Sequence, residues 1–546
     1  MTEHHPVPGQ SQNDALPSEA YWSIQACKMS NGSCCSLCSQ YQNLHEQVTL
    51  PRKRQLRTEI NRHHDPISRF LPYELISKIF KFYVEDDFRD LEEQKDWRNF
   101  RITNSPLIIA SICSTWRSVA MSSPQLWTHI QMILQEFCRP LDKLDVLNRW
   151  ISSAGNQTVS LFVVCEAPKH IPDRRRTQYK RVIAGLNAIS HRWRILRLSC
   201  SHAALYQMFS GNVQGMPNLC GLSIENSIEP DYDDRVVFRT DNGHKPRPCE
   251  VRLIRVPLIC LDIIWNQVTR INISQSELSL NEWRELMRQA SQLLECELTD
   301  IFFAPVLLNL DMTMPKHPKV GNHTLRKVKI GQCSGDLEYF FTKFSAPNLT
   351  QLLLEKAGSV KNWNSIRTVV EASGPQLTTL GIIIHADGWD YVSLLSLLSN
   401  TPVLEDLRIN AQIRYDPVQL FHIIAKSSTL DVDIRRPQIL PVLRSFRYQG
   451  YKTWDGSFWE FLPYFINRSD PENPCSKSCP LDSLELTTWD DDYRSKKENV
   501  LASICPSREV VHRISLLSSS GTTIRLIHND IHILAASIRH HCPVMA

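Results

Sequence analysis

Apolar positions along this chain follow two different periods. From Pro72 to Trp127 they recur every three or four residues, the spacing of one face of a helix. From Trp193 onward a shorter frame repeats: an apolar residue, two others, an apolar residue, one other, an apolar residue. It reads Trp193-Leu196-Leu198, Leu219-Leu222-Ile224, Val268-Ile271-Ile273, Leu293-Cys296-Leu298, Leu325-Val328-Ile330, Leu349-Leu352-Leu354, Leu377-Leu380-Ile382, Leu404-Leu407-Ile409, Leu443-Phe446-Tyr448, Leu481-Leu484-Leu486 and Val511-Ile514-Leu516. The frames lie 24–39 residues apart, with one interval of 49 that a weaker copy at Val251 and Leu253 divides. That distance accommodates one strand and one helix. The last two apolar positions of each frame are two apart, so they share one face of a strand and point to one core.

Between the frames, apolar sets at helical spacing occur at Leu337, Phe340, Phe341, Phe344; at Tyr391, Leu394, Leu395, Leu398; at Phe458, Phe461, Leu462, Phe465; and at Ile531, Leu534, Ala535, Ile538. Strand and helix therefore alternate over residues 155–541, an α/β pattern. Turn signals such as Ser373-Gly-Pro-Gln376 separate the units.

The N-terminal part differs. Residues 1–40 are rich in Ser, Gln, Asn and Pro and bury too little to offset ordering entropy, so a disordered tail is expected. A short helical linker is expected over 41–64, where Leu44, Val48, Leu56 and Ile60 have helical spacing but Pro51 divides the run. Pro72 then opens a helix that places Leu75, Ile76, Ile79, Phe80 and Tyr83 on one side. A polar insertion, Glu85 to Arg101, follows. Ser105 and Pro106 signal the next helix, with Ile109, Ile112, Cys113, Trp116, Val119 and Ala120 in helical spacing, and Ser123-Pro124 repeats the signal before Leu126 and Trp127.

The order of these landmarks, Leu71-Pro72-x-Glu74-Leu75-x-x-x-Ile79-Phe80, then Cys113-x-x-Trp116-Arg117-x-Val119-Ala120, then Pro124-x-Leu126-Trp127, resembles the F-box. The resemblance covers residues 66–127 of the 546 and places an F-box-like helical domain at 65–130. It implies docking onto the Skp-type adaptor of a cullin-RING ubiquitin ligase, with Leu71, Pro72, Glu74, Leu75, Ile79, Phe80, Trp116, Val119, Leu126 and Trp127 as adaptor-binding residues. The polar insertion departs from compact members of that family. The repeating frame resembles leucine-rich repeats, which implies a solenoid over 155–541 with parallel strands on a concave face and helices on the convex one. The family's Asn or Cys after the frame is mostly missing, and a doubly wound α/β sheet would give the same alternation of strand and helix.

Charge changes little: 61 basic and 57 acidic residues leave +4, too small a field to attract nucleic acid or an anionic membrane. The most apolar run, Val251 to Trp265, contains Arg252, Arg255 and Asp262, and the N-terminus lacks a signal-like run, so a cytoplasmic or nuclear protein is expected. Seventeen scattered cysteines fit free thiols in a reducing compartment. Nucleotide-binding glycine loops, zinc-protease and nucleophile-elbow motifs are absent from the sequence. Cys27, Cys34, Cys35 and Cys38, Cys475 with Cys479, and His528 with His532, His540, His541 and Cys542 are the clusters a metal could use; chance grouping or solvated surface is expected for each.

No cofactor, metal or catalytic residue is expected, and the chain reads as a non-enzyme. The expected function is substrate recognition for a Skp-cullin-F-box type ubiquitin ligase, with the adaptor, and through it a cullin, as one partner and an unidentified protein substrate as the other. The alternative is a leucine-rich-repeat scaffold acting outside any ligase.

Overall fold

A computed structural model of the chain describes residues 71–93, 105–134, 142–165, 173–200, 214–226, 244–303, 320–334, 344–355, 363–373, 376–384, 391–411, 440–451, 456–467, 481–489, 506–528 and 531–541, with isolated positions such as Leu56, Phe238 and Phe421. Nearly all of the expected tail and linker (1–64) lies outside the described residues. The chain divides into two compact units, residues 1–128 with 149–157, and residues 129–148 with 158–546.

The first unit is helical: α1 (Tyr73–Glu93), α2 (Ser105–Ile112), α3 (Ser114–Met121) and a 3₁₀ turn (Pro124–Trp127). Ile76, Phe80, Val84 and Phe88 recur every four residues along α1, and all are buried. This stripe runs through the acidic stretch, so residues 85–93 continue α1 and are not an insertion between helices; residues 94–104 lie outside the described residues. Two expected N-caps act otherwise. Helix α2 already includes Ser105, whose hydroxyl donates to the Asp87 carboxylate on α1, and Ser123 donates to the Val119 carbonyl at 2.7 Å. Helix α3 is capped instead by Cys113, whose sulfur accepts the Trp116 amide at 3.4 Å.

The second unit is built from strands and helices in alternation. It begins with β1 (His129–Ile133), α4 (Asp142–Ser153), β2 (Val159–Cys165), α5 (Asp173–Ala188), β3 (Trp193–Cys200), β4 (Gly221–Asn226), β5 (Glu250–Ile254) and β6 (Arg270–Ser274). The residues of α4 from Arg149 onward belong to the first unit. Next come β7 (Glu277–Leu278), α6 (Leu280–Gln289), β8 (Glu295–Thr299), β9 (Ile301–Phe303), β10 (Val320–Gly321), β11 (Lys327–Ile330), β12 (Cys333–Ser334), β13 (Phe344–Ser345) and β14 (Gln351–Leu354). The remainder is α7 (Trp363–Ser373), β15 (Thr379–Ile384), α8 (Tyr391–Ser399), β16 (Asp406–Ala411), β17 (Ser445–Tyr451), α9 (Gly456–Asn467), β18 (Ser483–Trp489), α10 (Arg508–Ser519), β19 (Thr523–His528), β20 (Ile531–His532) and α11 (Ile533–His541).

One 15-stranded sheet joins β1 to β20, and its spatial order follows the chain: each strand pairs with the next, in parallel, until β20 closes the end antiparallel to β19. A doubly wound sheet reverses its strand order at a switch point; this one never does. The fold is therefore a mixed α/β architecture with a large, mostly parallel sheet, compatible with an α/β solenoid.

The repeating frame sets the register. Its middle residues align as Cys296↔Val328↔Leu352↔Leu380↔Leu407↔Phe446↔Leu484 across successive strands. All three apolar residues of the first ten frames are at most 2 % exposed, so they stack into one continuous core. The entry to each strand is also clamped. From Cys220 to Arg444, one carbonyl per repeat accepts the amides of two consecutive residues of the next, as in Cys249 and Glu250 to Cys220 (2.7 and 2.9 Å) and Thr378 and Thr379 to Thr350 (2.8 and 3.0 Å). Thr269, Thr350 and Thr378 add their hydroxyls to the same row of carbonyls.

The eleventh frame is a correction. Val511, Ile514 and Leu516 lie on α10, where Leu516 is 55 % exposed; Ser507 caps this helix and Gly521, at φ +112°, stands after its end. The strand is β19, where Ile524 and Leu526 are buried. Val511 and Ile514 are three apart, a spacing that suits a helix as well as the first step of the frame. Similarly, Phe344 lies on β13 and Ile531 on β20, not on helices, while Leu337 and Phe340 fall outside the described residues.

Arg255, Gln275 and Asp300 follow β5, β6 and β8 directly and all have positive φ, +57°, +52° and +53°. These corners turn the chain after the main strand; after β6 and β8 it enters β7 and β9, which with β12 form a second, three-stranded sheet. A β-branched side chain is poorly accommodated in this backbone region. Asp300→Val should therefore lose about 1–3 kcal/mol of stability, read by chemical denaturation, whereas Asp300→Gly should not.

At the sheet edge, His129 on β1 is held at a pKa of about 4, well below the usual 6.5, by burial and secondarily by the Arg194 cation. The unfolded chain binds a proton near pH 6.5 and the folded one only near 4, so stability rises with pH across this window and is lost below it. The thermal midpoint should fall between these two pH values by less in His129→Gln than in the parent protein.

Candidate docking surfaces

Helix α1 carries more apolar residues than one buried face can hold. Beside the inner stripe, Leu75, Ile79, Phe82 and Tyr83 form a second stripe at spacings of four, three and one, with exposures of 44–59 %. On α2, Ile109 and Ala110 are buried while Leu107, Ile108 and Ile112 are exposed; on α3, Met121 is exposed. Exposed apolar residues are concentrated on this small helical unit, which makes it a candidate docking surface.

The layer beneath is tightly organised. Phe80 packs on Trp116 with ring centroids 4.8 Å apart. The Ser77 hydroxyl lies 2.8 Å from that of Ser123 and accepts the Gln125 amide at 2.8 Å. Trp127 donates its indole N–H to the Ala120 carbonyl at 2.8 Å, and Trp150 donates to the Trp127 carbonyl at 3.0 Å with the two rings edge to face. Arg117 reaches back from α3 to the Ala110 carbonyl on α2 at 2.9 Å. These bonds fix α1, α2 and α3 against one another, so the exposed stripe is presented on a fixed support.

The residues anticipated for docking divide into two groups. Pro72, Glu74, Leu75 and Ile79 are exposed, and Leu71 and Trp116 are partly so. Phe80, Val119, Leu126 and Trp127 are buried in the unit's own core, at 0–2 % exposure, and support the surface from below instead of lining it. Phe82 on this stripe and the exposed Ile108 and Ile112 on α2 were not among the anticipated docking residues. Their signal was an excess of apolar residues: a run such as Ile79-Phe80-x-Phe82-Tyr83-Val84 cannot face one side of a helix.

On the second unit, strand positions between the buried frame residues carry charges of alternating sign. Arg270 on β6 pairs with Glu250 on β5 (2.8 Å) and Glu295 on β8 (3.8 Å), and Lys329 on β11 lies 3.3 Å from both Glu297 on β8 and the Glu355 carboxylate after β14. Further along, Arg447 on β17 meets Glu485 on β18 at 3.0 Å, and Asp406 and Arg408 pair within β16. Exposed pairs of this kind stabilise little. Among the described residues they give a polar face patterned by charges of both signs, in keeping with the small net charge.

Candidate chemistry is sparse. A cavity of about 440 Å³ beside α6 has Leu258, Leu261, Trp265 and Leu286 among its walls. Its carboxylates are already engaged: Asp262 with Lys245, Glu282 in the Ser279 cap of α6, and Glu285, held at a pKa of about 2 by hydrogen bonds from Arg288 and Gln289. Burial pushes the Cys296 thiol up strongly and that of Cys333 to about 12, which leaves both poor nucleophiles.

Among the described residues no group of three or more His, Cys, Asp or Glu could hold a metal, and no helix is long and apolar enough to cross a membrane. His528 is buried with its Nδ1 3.0 Å from the Thr488 hydroxyl, while His532 is exposed. Cys27, Cys34, Cys35, Cys38, Cys475, Cys479 and Cys542, and the side chains of His540 and His541, lie outside the described residues. No family model matches the chain, and no curated protein matches it.

Proposed function

We propose that this chain is a substrate-recognition subunit of a Skp-cullin-F-box type ubiquitin ligase, its helical unit acting as an F-box and its repeats as a leucine-rich-repeat solenoid that grips a target protein. The observation that carries the reading is the outer stripe of α1, Leu75, Ile79, Phe82 and Tyr83, left exposed while Ile76, Phe80, Val84 and Phe88 fill the core. An apolar surface on a rigid helical support suits the adaptor interface that the Leu71-Pro72-x-Glu74-Leu75 pattern resembles. In this reading the chain catalyses nothing itself. It raises the local concentration of a substrate lysine beside a ubiquitin-charged enzyme held elsewhere in the complex, and proximity supplies the acceleration. The sequentially stacked strands offer an extended, laterally patterned face for the substrate.

One feature favours a second reading. Helix α1 runs to Glu93, with an acidic end that departs from the compact F-box pattern, as a leucine-rich-repeat scaffold outside any ligase could have. Co-expression with a Skp-type adaptor separates the two. The ligase reading expects a complex that survives affinity and size-exclusion steps and recruits a cullin; a folded chain that elutes without the adaptor would leave the scaffold.

A further inference from the structure

Cys220 and Cys249 are 29 positions apart in sequence but occupy neighbouring rungs of the sheet. The register Gly221↔Glu250 between β4 and β5 extends back by one position to this pair, and the Cys249 amide donates to the Cys220 carbonyl at 2.7 Å. Both side chains are exposed, and the Cys220 thiol lies 3.5 Å from the Asn218 carbonyl. Adjacent strands run about 4.8 Å apart, within the Cα separation that a disulfide spans. The other described cysteines, Cys113, Cys165, Cys200, Cys260, Cys296 and Cys333, are buried. Among the described residues, a thiol reagent in solution therefore meets this pair first.

We propose that Cys220 and Cys249 form a redox-active dithiol that closes to a disulfide across β4 and β5 by exchange with low-molecular-weight disulfides such as glutathione disulfide. The thiolate of one cysteine attacks a sulfur of the small disulfide, forming a mixed disulfide and releasing one small thiolate. The second cysteine loses its proton and attacks the protein-bound sulfur, releasing the other small thiol. Two protein thiols are oxidised to one disulfide, and one small disulfide is reduced to two thiols. Cys249 is suited to the second step. Burial, then Cys220, then the Glu250 carboxylate raise its pKa, which disfavours its free thiolate and so the first attack on the small disulfide. The resulting bond ties two rungs at the start of their strands and leaves the buried frame residues in place.

The test uses the full-length chain incubated in glutathione buffers from reducing to oxidising, then blocked by alkylation, digested and mapped by mass spectrometry. The expected result is a linked pair of peptides containing Cys220 and Cys249, two hydrogens lighter than their sum, which reduction returns to two alkylatable peptides. Cys249→Ser should give no linked pair and should carry glutathione on Cys220, with its far-UV circular dichroism unchanged. Full alkylation of both cysteines under oxidising conditions would overturn the proposal. So would glutathione on both without a link, or a link from either one to a different cysteine.

Discussion

Replacing Leu75 and Ile79 together by alanine should weaken adaptor binding by roughly a thousandfold while leaving the chain folded. Each is an exposed apolar residue of the outer stripe, and loss of an apolar anchor from an interface costs about 2 kcal/mol, roughly thirtyfold in affinity. The two lie one helical turn apart on α1, and neither contributes to the inner stripe, so the thermal midpoint should move little. Phe80→Ala is the contrasting variant. Phe80 is 2 % exposed and stacks on Trp116, so its removal should destabilise the helical unit by about 3–5 kcal/mol and weaken adaptor binding only through unfolding. Titration calorimetry beside thermal melts separates the two effects. Unchanged affinity in a folded Leu75→Ala, Ile79→Ala variant would remove the outer stripe from any role in docking.

The largest loss of stability in the repeats should come from Phe421→Ala. Phe421 is 1 % exposed, and its ring lies 5.3 Å from Phe446, 5.7 Å from Tyr448, 5.7 Å from Phe458 and 4.9 Å from Phe465. It joins the frame residues of β17 to the buried face of α9. Truncation would leave a cavity among four rings that are themselves held by the sheet and the helix and cannot close around it. The expected cost is about 3–5 kcal/mol by chemical denaturation. Because each rung contacts chiefly its neighbours, the loss should appear first as local opening around β16–β18 and not as uniform weakening. Hydrogen exchange that rose equally from β1 to β19 would contradict this nearest-neighbour picture.

The repeat array was legible because its signal is redundant. Leu352, Leu380 and Leu407 each say little alone, but in a fixed frame at similar intervals they define strands, register and core together. Where redundancy fails, so does the reading. Val511 and Ile514 satisfied the start of the frame from within a helix, while the strand at Ile524 and Leu526 lacks the leading apolar residue. The corners at Arg255, Gln275 and Asp300 left no trace either, since none is the glycine or asparagine that usually announces positive φ. In the helical unit, periodicity located α1 but merged its two stripes. Which apolar residues face the core and which face solvent is decided by α2 and α3 packing against one side, an outcome of tertiary structure. The Cys220–Cys249 pair was hidden for a related reason: their nearness follows from register, not from sequence distance.

Hydrogen–deuterium exchange of the chain, alone and with a purified Skp-type adaptor, is the sharpest test of the docking proposal because it reports both binding and its location. Docking through the outer stripe should bring new protection concentrated in Tyr73–Tyr83 and Leu107–Ile112, with exchange in the strands β2–β19 unchanged. Protection confined to the strands, or none at adaptor concentrations that saturate known F-box proteins, would contradict it.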